Sequence, residues 1–177
     1  MDEGMKKEIY SWVKTILLAL VLALILRTFI FRTAYAMSIS MEPTLHEGQI
    51  LIISKISYLV GEPHRGDIVV IDSKQDKLEK HNLIKRVIGL PGETIEIKDN
   101  KVYIDGKELK PDYTTSPTPD FGFVKTQIPP GEYMVMGDNR ENSRDSRFDS
   151  VGFVDGKNIT GKAVFRVWPF NKAGALK

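Results

Sequence analysis

Three short segments concentrate the side chains able to do chemistry: SISMEPTL from Ser38, KRVIGLPGE from Lys85 and GDNRENSRDSR from Gly137. A serine hydroxyl is a weak nucleophile until a base takes its proton, so the chemistry open to Ser40 depends on the base the fold brings to it. Lys85 is one candidate. It stands in a strand-like pattern with Leu83 and Val87 on its own face and Ile84, Arg86 and Ile88 on the other. On an exposed edge it is an ordinary solvated lysine. Turned into an apolar site, its ammonium form is disfavoured and its pKa falls toward neutrality, as a base for Ser40 requires. Ser40 has a plain alternative too, since hydroxyls just ahead of a proline such as Pro43 commonly open turns.

Histidine is the commoner base, and the chain carries His46, His64 and His81. His81 shares the face of Lys85 if the strand begins that early, but Lys80-His81-Asn82 also reads as the polar start of that strand. The histidines show no zincin pattern or paired ligand spacing, and the chain has no cysteine. Thiol nucleophiles, disulfides and thiolate metal sites are therefore excluded, and no metal or other cofactor is expected. In the third segment Asp138, Arg140, Asp145 and Arg147 can pair with one another or with the backbone to hold a loop against a site. A solvated charged loop is the alternative, and exposed pairs of that kind contribute little.

These residues need a scaffold, and beyond Met37 the pattern supplies short strands. Apolar and alternating runs recur at Ile50–Ser54, Asp67–Ile71 and Leu83–Leu90, and again from Thr94, Lys101, Glu132 and Lys162. Turn pairs Asp99-Asn100 and Asp105-Gly106 separate some of them, and Pro91-Gly92 suits the centre of a type II turn. The expected fold is mainly β, an antiparallel sheet domain over residues 32–177. Pro111, Pro117, Pro119, Pro129 and Pro130 make the stretch from Pro111 to Gly131 a poor strand, expected to run over the surface.

Ahead of that domain, Thr15–Leu26 reads TILLALVLALIL without a charge, and apolar character extends from Tyr10 to Phe31 with Lys14 and Arg27 near the ends. A helix of that length spans roughly 33 Å, comparable to a bilayer's hydrocarbon core. One transmembrane helix over residues 10–31, after a flank at 1–9, is therefore expected. A removable signal peptide competes, because Lys6, Lys7 and Lys14 precede the apolar run and Ala34-Tyr35-Ala36 supplies an A-x-A pattern. The run is long for that, and the Ser38 segment follows at once, so a retained anchor is preferred. Lys6, Lys7 and Lys14, set against Arg27 and Arg32, put the N-terminus in the cytoplasm by a small excess. The whole chain of 177 residues suits one globular domain beyond this segment. Its 25 basic side chains nearly balance 23 acidic ones, with no long basic run, so no nucleic-acid partner is expected.

Taken in order, Ser40-Met41-Glu42-Pro43-Thr44-Leu45, Arg65-Gly66-Asp67-Ile68-Val69-Val70, Lys85-Arg86 with Gly89-Leu90-Pro91-Gly92, and Gly137-Asp138-Asn139-Arg140 with Ser143-Arg144-Asp145-Ser146-Arg147 resemble the bacterial type I signal peptidases, in the compact form frequent in Gram-positive bacteria. The resemblance implies that Ser40 attacks a scissile carbonyl, that Lys85 as a neutral amine takes its proton, and that the Ser40 N–H and the Ser38 hydroxyl form the oxyanion hole. Ser143 matches a serine that orients the lysine. Asp145 and Arg147 match a supporting pair, with Asp138, Arg140 and Arg86 beside them. The implied partners are exported preproteins cleaved after Ala-x-Ala-like sites, a lipid bilayer and, nearby, the secretion translocon. The implied setting is a single-pass cell-membrane protein with an extracytoplasmic catalytic domain.

The run from Arg147 to Gly152 departs from the family, whose glycine follows the arginine sooner, and implies a longer loop. Two other classes stay open. Self-cleaving repressors share a serine–lysine dyad, but carry a DNA-binding helix pair where this chain has an apolar run. An inactive membrane-anchored binder would hold extended peptides without cutting them. Ala34-Tyr35-Ala36 raises self-cleavage, between molecules at most, because Ala36 lies too close to Ser40 along the chain to enter its own site. Trp168 and Phe170, flanking Pro169, suit either a membrane interface or the core.

Overall fold

The computed structural model describes residues 3–25, 30–72 and 81–176. Helix α1 (Glu3–Ile25) precedes the strands β1 (Phe31–Tyr35), β2 (Ile50–Ser54), β3 (Ile68–Ile71), β4 (Leu83–Gly89), β5 (Thr94–Lys98) and β6 (Lys101–Ile104). They are followed by β7 (Lys107–Glu108), β8 (Thr126–Gln127), β9 (Glu132–Met136), β10 (Val154–Asp155), β11 (Ile159–Trp168) and β12 (Gly174–Ala175). The larger sheet runs β1-β2-β11-β3-β4-β9-β10, with β12 added to β11, and the smaller runs β7-β6-β5-β8. All pairings are antiparallel, as the strand pattern implies.

The continuous apolar run Ile68–Ile71 is buried on both faces, which explains why it does not alternate with polar residues. Val69 and Ile71 pack with Val87, Tyr133 and Val135, whereas Ile68 and Val70 pack with Met41, Leu45, Leu51 and Ile53. A third cluster joins the sheets, with Ile88, Met134 and Met136 from the large one against Ile95, Ile97, Val102 and Ile104 from the small. Alternate residues of β3, β4 and β9 thus serve different clusters, so these strands are clamped from both sides. The turns at Asp99-Asn100 and Asp105-Gly106 take the positive φ angles (50, 61, 48 and 76°) that tight hairpins require.

Asp67 ties three elements to the start of β3. It accepts hydrogen bonds from the Tyr58 hydroxyl (2.9 Å) and the His64 N–H (3.0 Å), and pairs with Lys162 of β11. Burial pushes its pKa up, but the hydrogen bonds from Lys162, the His64 N–H and Tyr58 together hold it below the ordinary carboxylate range.

Three expectations change. Phe31 is not part of an anchor, because it opens β1 and pairs with Ser54. The helix starts at Glu3 and takes in most of the expected flank, including Lys6, Lys7 and Glu8. Among the described residues no helix is long and apolar enough to cross a membrane; residues 26–29, including Arg27, lie outside them, as do 1–2, 73–80 and 177. The proline-rich stretch also does not stay on the surface, since Thr118 and Ile128 are buried. Finally, Trp168 and Phe170 meet edge to face with ring centroids 4.9 Å apart and are 46% and 74% exposed, so they are not core residues.

Candidate active site

Ser40 sits in a single 3-10 turn, Ile39–Met41, between β1 and β2. The turn is held from below because Met41 and Leu45 are core residues, and the Leu45 N–H bonds to the Met41 carbonyl at 2.8 Å. It is held from the side by Asn139, whose N–H donates to the Ser40 carbonyl (3.0 Å) and whose side-chain amide donates to the Ile39 carbonyl (3.2 Å). Lys85 lies in β4 opposite Val69 of β3. Its side chain is not that of an exposed edge lysine: it is 3% exposed, and Nζ lies 2.7 Å from Ser40 Oγ, itself 6% exposed as a residue. The Ser38 hydroxyl lies 3.0 Å from the same oxygen. His81 reaches only the exposed rim of the surrounding cleft, His46 is paired with Glu42 and His64 is exposed.

Behind Ser40 and Lys85 stand two buried ion pairs. Arg86 donates through Nε and Nη2 to the two Asp138 oxygens (2.9 and 2.7 Å), and through Nη1 to the Gly66 carbonyl (2.7 Å). Arg147 donates through Nε and Nη2 to Asp145 (2.8 and 2.9 Å), and its remaining donors reach the carbonyls of Pro119 and Arg140. A buried pair is tolerable only when its spare donors and acceptors are satisfied, and here they largely are: Thr44 donates to Asp138 (2.6 Å) and the Gly137 N–H donates to Asp145 (3.0 Å). Arg140 is buried as well, and desolvation lowers its pKa against the opposing pull of Tyr113, Asp138 and Asp145. The charged loop expected from the sequence is therefore an interior network rather than a solvated one.

This chain matches the family of signal peptidase, peptidase S26, over residues 9–168. It belongs to that family. As a member of peptidase S26 it is a serine endopeptidase. It is 42% identical to a signal peptidase I of Bacillus licheniformis, with 94% of this chain and 92% of that protein covered. It is 44% identical to a signal peptidase I of Leptolyngbya laminosa over 93% of this chain and 82% of that one. A crystal structure of a signal peptidase I from Enterococcus faecalis V583 is 32% identical, with a TM-score of 0.46 over 58% of this chain and 97% of that one.

In this S26 site one expected neighbour is placed differently. Ser143 is buried, yet among the described residues its hydroxyl makes no hydrogen bond, to Lys85 or to any other group; it packs against Gly137 instead. A Cβ on Gly137 would overlap both Ser143 Oγ and the Ser40 carbonyl, so this glycine is what lets the loop touch the Ser40 turn. Gly137, Asn139 and Thr44 carry geometry that residue chemistry alone does not reveal, although each lies within or beside a motif segment. The run after Arg147 closes as a compact turn, with the Phe148, Val151 and Gly152 N–H groups bonded within residues 145–152. Among the described residues no group of three or more His, Asp or Glu side chains could hold a metal ion.

Proposed function

We propose that this endopeptidase removes signal peptides from exported preproteins at Ala-x-Ala-like sites, with Ser40 as nucleophile and Lys85 as general base. The observation that carries this reading is the 2.7 Å approach of Lys85 Nζ to Ser40 Oγ at a position closed to bulk water. Desolvation favours the neutral amine, which can accept the hydroxyl proton. Ser40 Oγ attacks the scissile carbonyl carbon as its proton passes to Lys85, and the oxyanion is met by the Ser40 N–H and the Ser38 hydroxyl. Collapse breaks the C–N bond, and Lys85 returns the proton to the leaving amine. Water, deprotonated by the same lysine, then releases the acyl group and restores Ser40.

The cleft over the dyad, 170 Å³, supports small side chains next to the bond. Its walls come from Tyr35–Met37 on one side and His81–Ile84 on the other, with buried Met41 and Leu45 between. Both walls offer backbone to an extended peptide. β1 is the edge of its sheet, and β9 pairs with β4 only from Arg86 onward, so among the described residues no strand covers the β9 side of Leu83 and Ile84.

The domain reading places α1 at a bilayer, with its N-terminus cytoplasmic, the domain from residue 32 extracytoplasmic, and the secretion translocon nearby. Its support is that Leu17, Leu18, Leu20 and Leu22 of α1 are all exposed, and that Phe31, Tyr35, Phe165, Trp168 and Phe170 add exposed apolar surface on or beside β1, β2 and β11. The test is cleavage of a membrane-embedded Ala-x-Ala preprotein by wild type, Ser40→Ala, Lys85→Ala and His81→Ala. Loss in both dyad variants with His81→Ala active is expected; full activity in either dyad variant overturns the mechanism.

A further inference from the structure

The stretch between Pro111 and Gly131 dips against all three buried arginines of the site. Thr118 is 3% exposed, and its N–H bonds to the Asn100 carbonyl at 2.9 Å, which pins the dip to the β5–β6 turn. Around that point each arginine is met in turn. The Tyr113 ring lies 4.0 Å from the Arg86 guanidinium carbon. The Thr118 hydroxyl accepts from Arg140 Nη1 at 2.7 Å. The Pro119 carbonyl accepts from Arg147 Nη1 at 3.0 Å, and the Phe121 ring covers the same guanidinium at 4.9 Å. None of these four residues lines the cleft over Ser40 and Lys85.

We propose that residues 113–121 are a clamp that positions the nucleophile from behind, with Thr118 and Tyr113 as positioning residues. The route is a short chain of contacts. Arg140 Nε donates to the Gly137 carbonyl (3.1 Å), and Arg147 holds the Asp145 that accepts the Gly137 N–H. Gly137 abuts the Ser40 carbonyl, and Asn139, two residues on, hydrogen-bonds to it. Removing the Thr118 hydroxyl leaves a buried guanidinium donor without its acceptor, so Arg140 must shift to find another. That shift is passed to Gly137 and from there to Ser40. The stacked faces of Tyr113 and Phe121 add cation–π attraction that keeps Arg86 and Arg147 in plane with their carboxylates.

This inference rests on Ser40 being the nucleophile. It is tested with the full chain in detergent, acting on a model preprotein, by comparing Thr118→Val, Thr118→Ser, Tyr113→Leu and Ser40→Ala. Thr118→Val is expected to lower kcat about ten- to a hundredfold with KM changed less than about threefold, because misplaced reacting groups slow the chemical step more than binding. Thr118→Ser, which restores the acceptor, recovers most of the loss, and Tyr113→Leu behaves like Thr118→Val. Wild-type kcat in both Thr118→Val and Tyr113→Leu overturns the clamp, as does a loss no greater than the unfolded fraction of each sample. Should Thr118→Val fail to fold, Tyr113→Leu decides alone. Full activity in Ser40→Ala overturns the underlying reading of the site, whereas an inactive Ser40→Ala beside fully active clamp variants overturns the clamp only.

Discussion

A buried lysine and a buried arginine sit side by side in β4. Arg86 is matched by Asp138 at hydrogen-bond distance, and Lys85 Nζ lies 2.7 Å from the Ser40 hydroxyl. Replacing Lys85 with Met substitutes an apolar chain of similar length for a desolvated amine. We expect kcat on a preprotein to fall about 10²–10⁴-fold, the usual range for losing a general base. Arg86→Met leaves Asp138 charged and buried without its partner, so we expect a loss of about 3–5 kcal/mol, read from urea unfolding. The double variant Arg86→Met with Asp138→Leu should recover part of it. Gly137→Ala tests packing rather than charge. With Ser143 Oγ and the Ser40 carbonyl in the path of the new methyl group, activity should be lost through displacement of the Ser40 turn, measured as a fall in kcat without a matching rise in KM.

At the scale of elements, the strands legible in the sequence are those whose apolar runs are long enough to show a period. Ile50–Ser54, Ile68–Ile71 and Leu83–Gly89 fall where the pattern puts them, and the Asp-Asn and Asp-Gly pairs turn where expected. The two-residue strands β7, β8, β10 and β12 are too short to carry a period. β1 was hidden because Phe31 prolongs the preceding apolar run, and Thr118 because its proline neighbours suggest a surface path while its buried partners are distant in sequence. Ser40 and Lys85 stand out in the sequence as two motif positions; their 2.7 Å approach, the Ser143 packing and the role of Gly137 depend on three-dimensional approach, which no local pattern encodes. The pairing of β1 has its own consequence. Ala36 is buried, its N–H bonds to the Gln49 carbonyl (3.0 Å) and its carbonyl accepts from Gly48 (2.8 Å), so the bond after Ala36 cannot become an extended substrate without peeling β1 from β2. We expect intact protein by mass spectrometry after prolonged incubation of active enzyme, with no species beginning at Met37. Asp67, which joins the turn after β2 to β3 and β11, makes these elements pH-sensitive. Its lowered pKa gives stability that is complete above the ordinary carboxylate range and is lost as pH falls through its folded-state value. Asp67→Asn should therefore cost about 1–3 kcal/mol at neutral pH, with the difference from wild type shrinking in acid, as followed by unfolding midpoints across pH.

For the whole molecule, the arrangement of exposed apolar side chains bears on how a preprotein is met. α1 leads toward the Phe31 end of β1, and the dyad turn follows its Tyr35 end. Phe31, Thr33 and Tyr35 alternate outward along that strand, while Trp168, opposite Ile50, lies near the same end as Tyr35 and meets Phe170 edge to face. The cleft and this aromatic pair share one end of the sheet, so contact of the pair with lipid headgroups would hold the cleft beside a membrane surface. Such contact contributes through local concentration and orientation, not through the chemical step, and the two effects separate by substrate. Trp168→Ser with Phe170→Ser should raise KM several-fold for a membrane-embedded preprotein in vesicles while leaving kcat/KM for a short soluble Ala-x-Ala peptide within about twofold of wild type. Equal losses on both substrates would instead mean that the pair supports the fold of β11, and the membrane reading of this face would be abandoned.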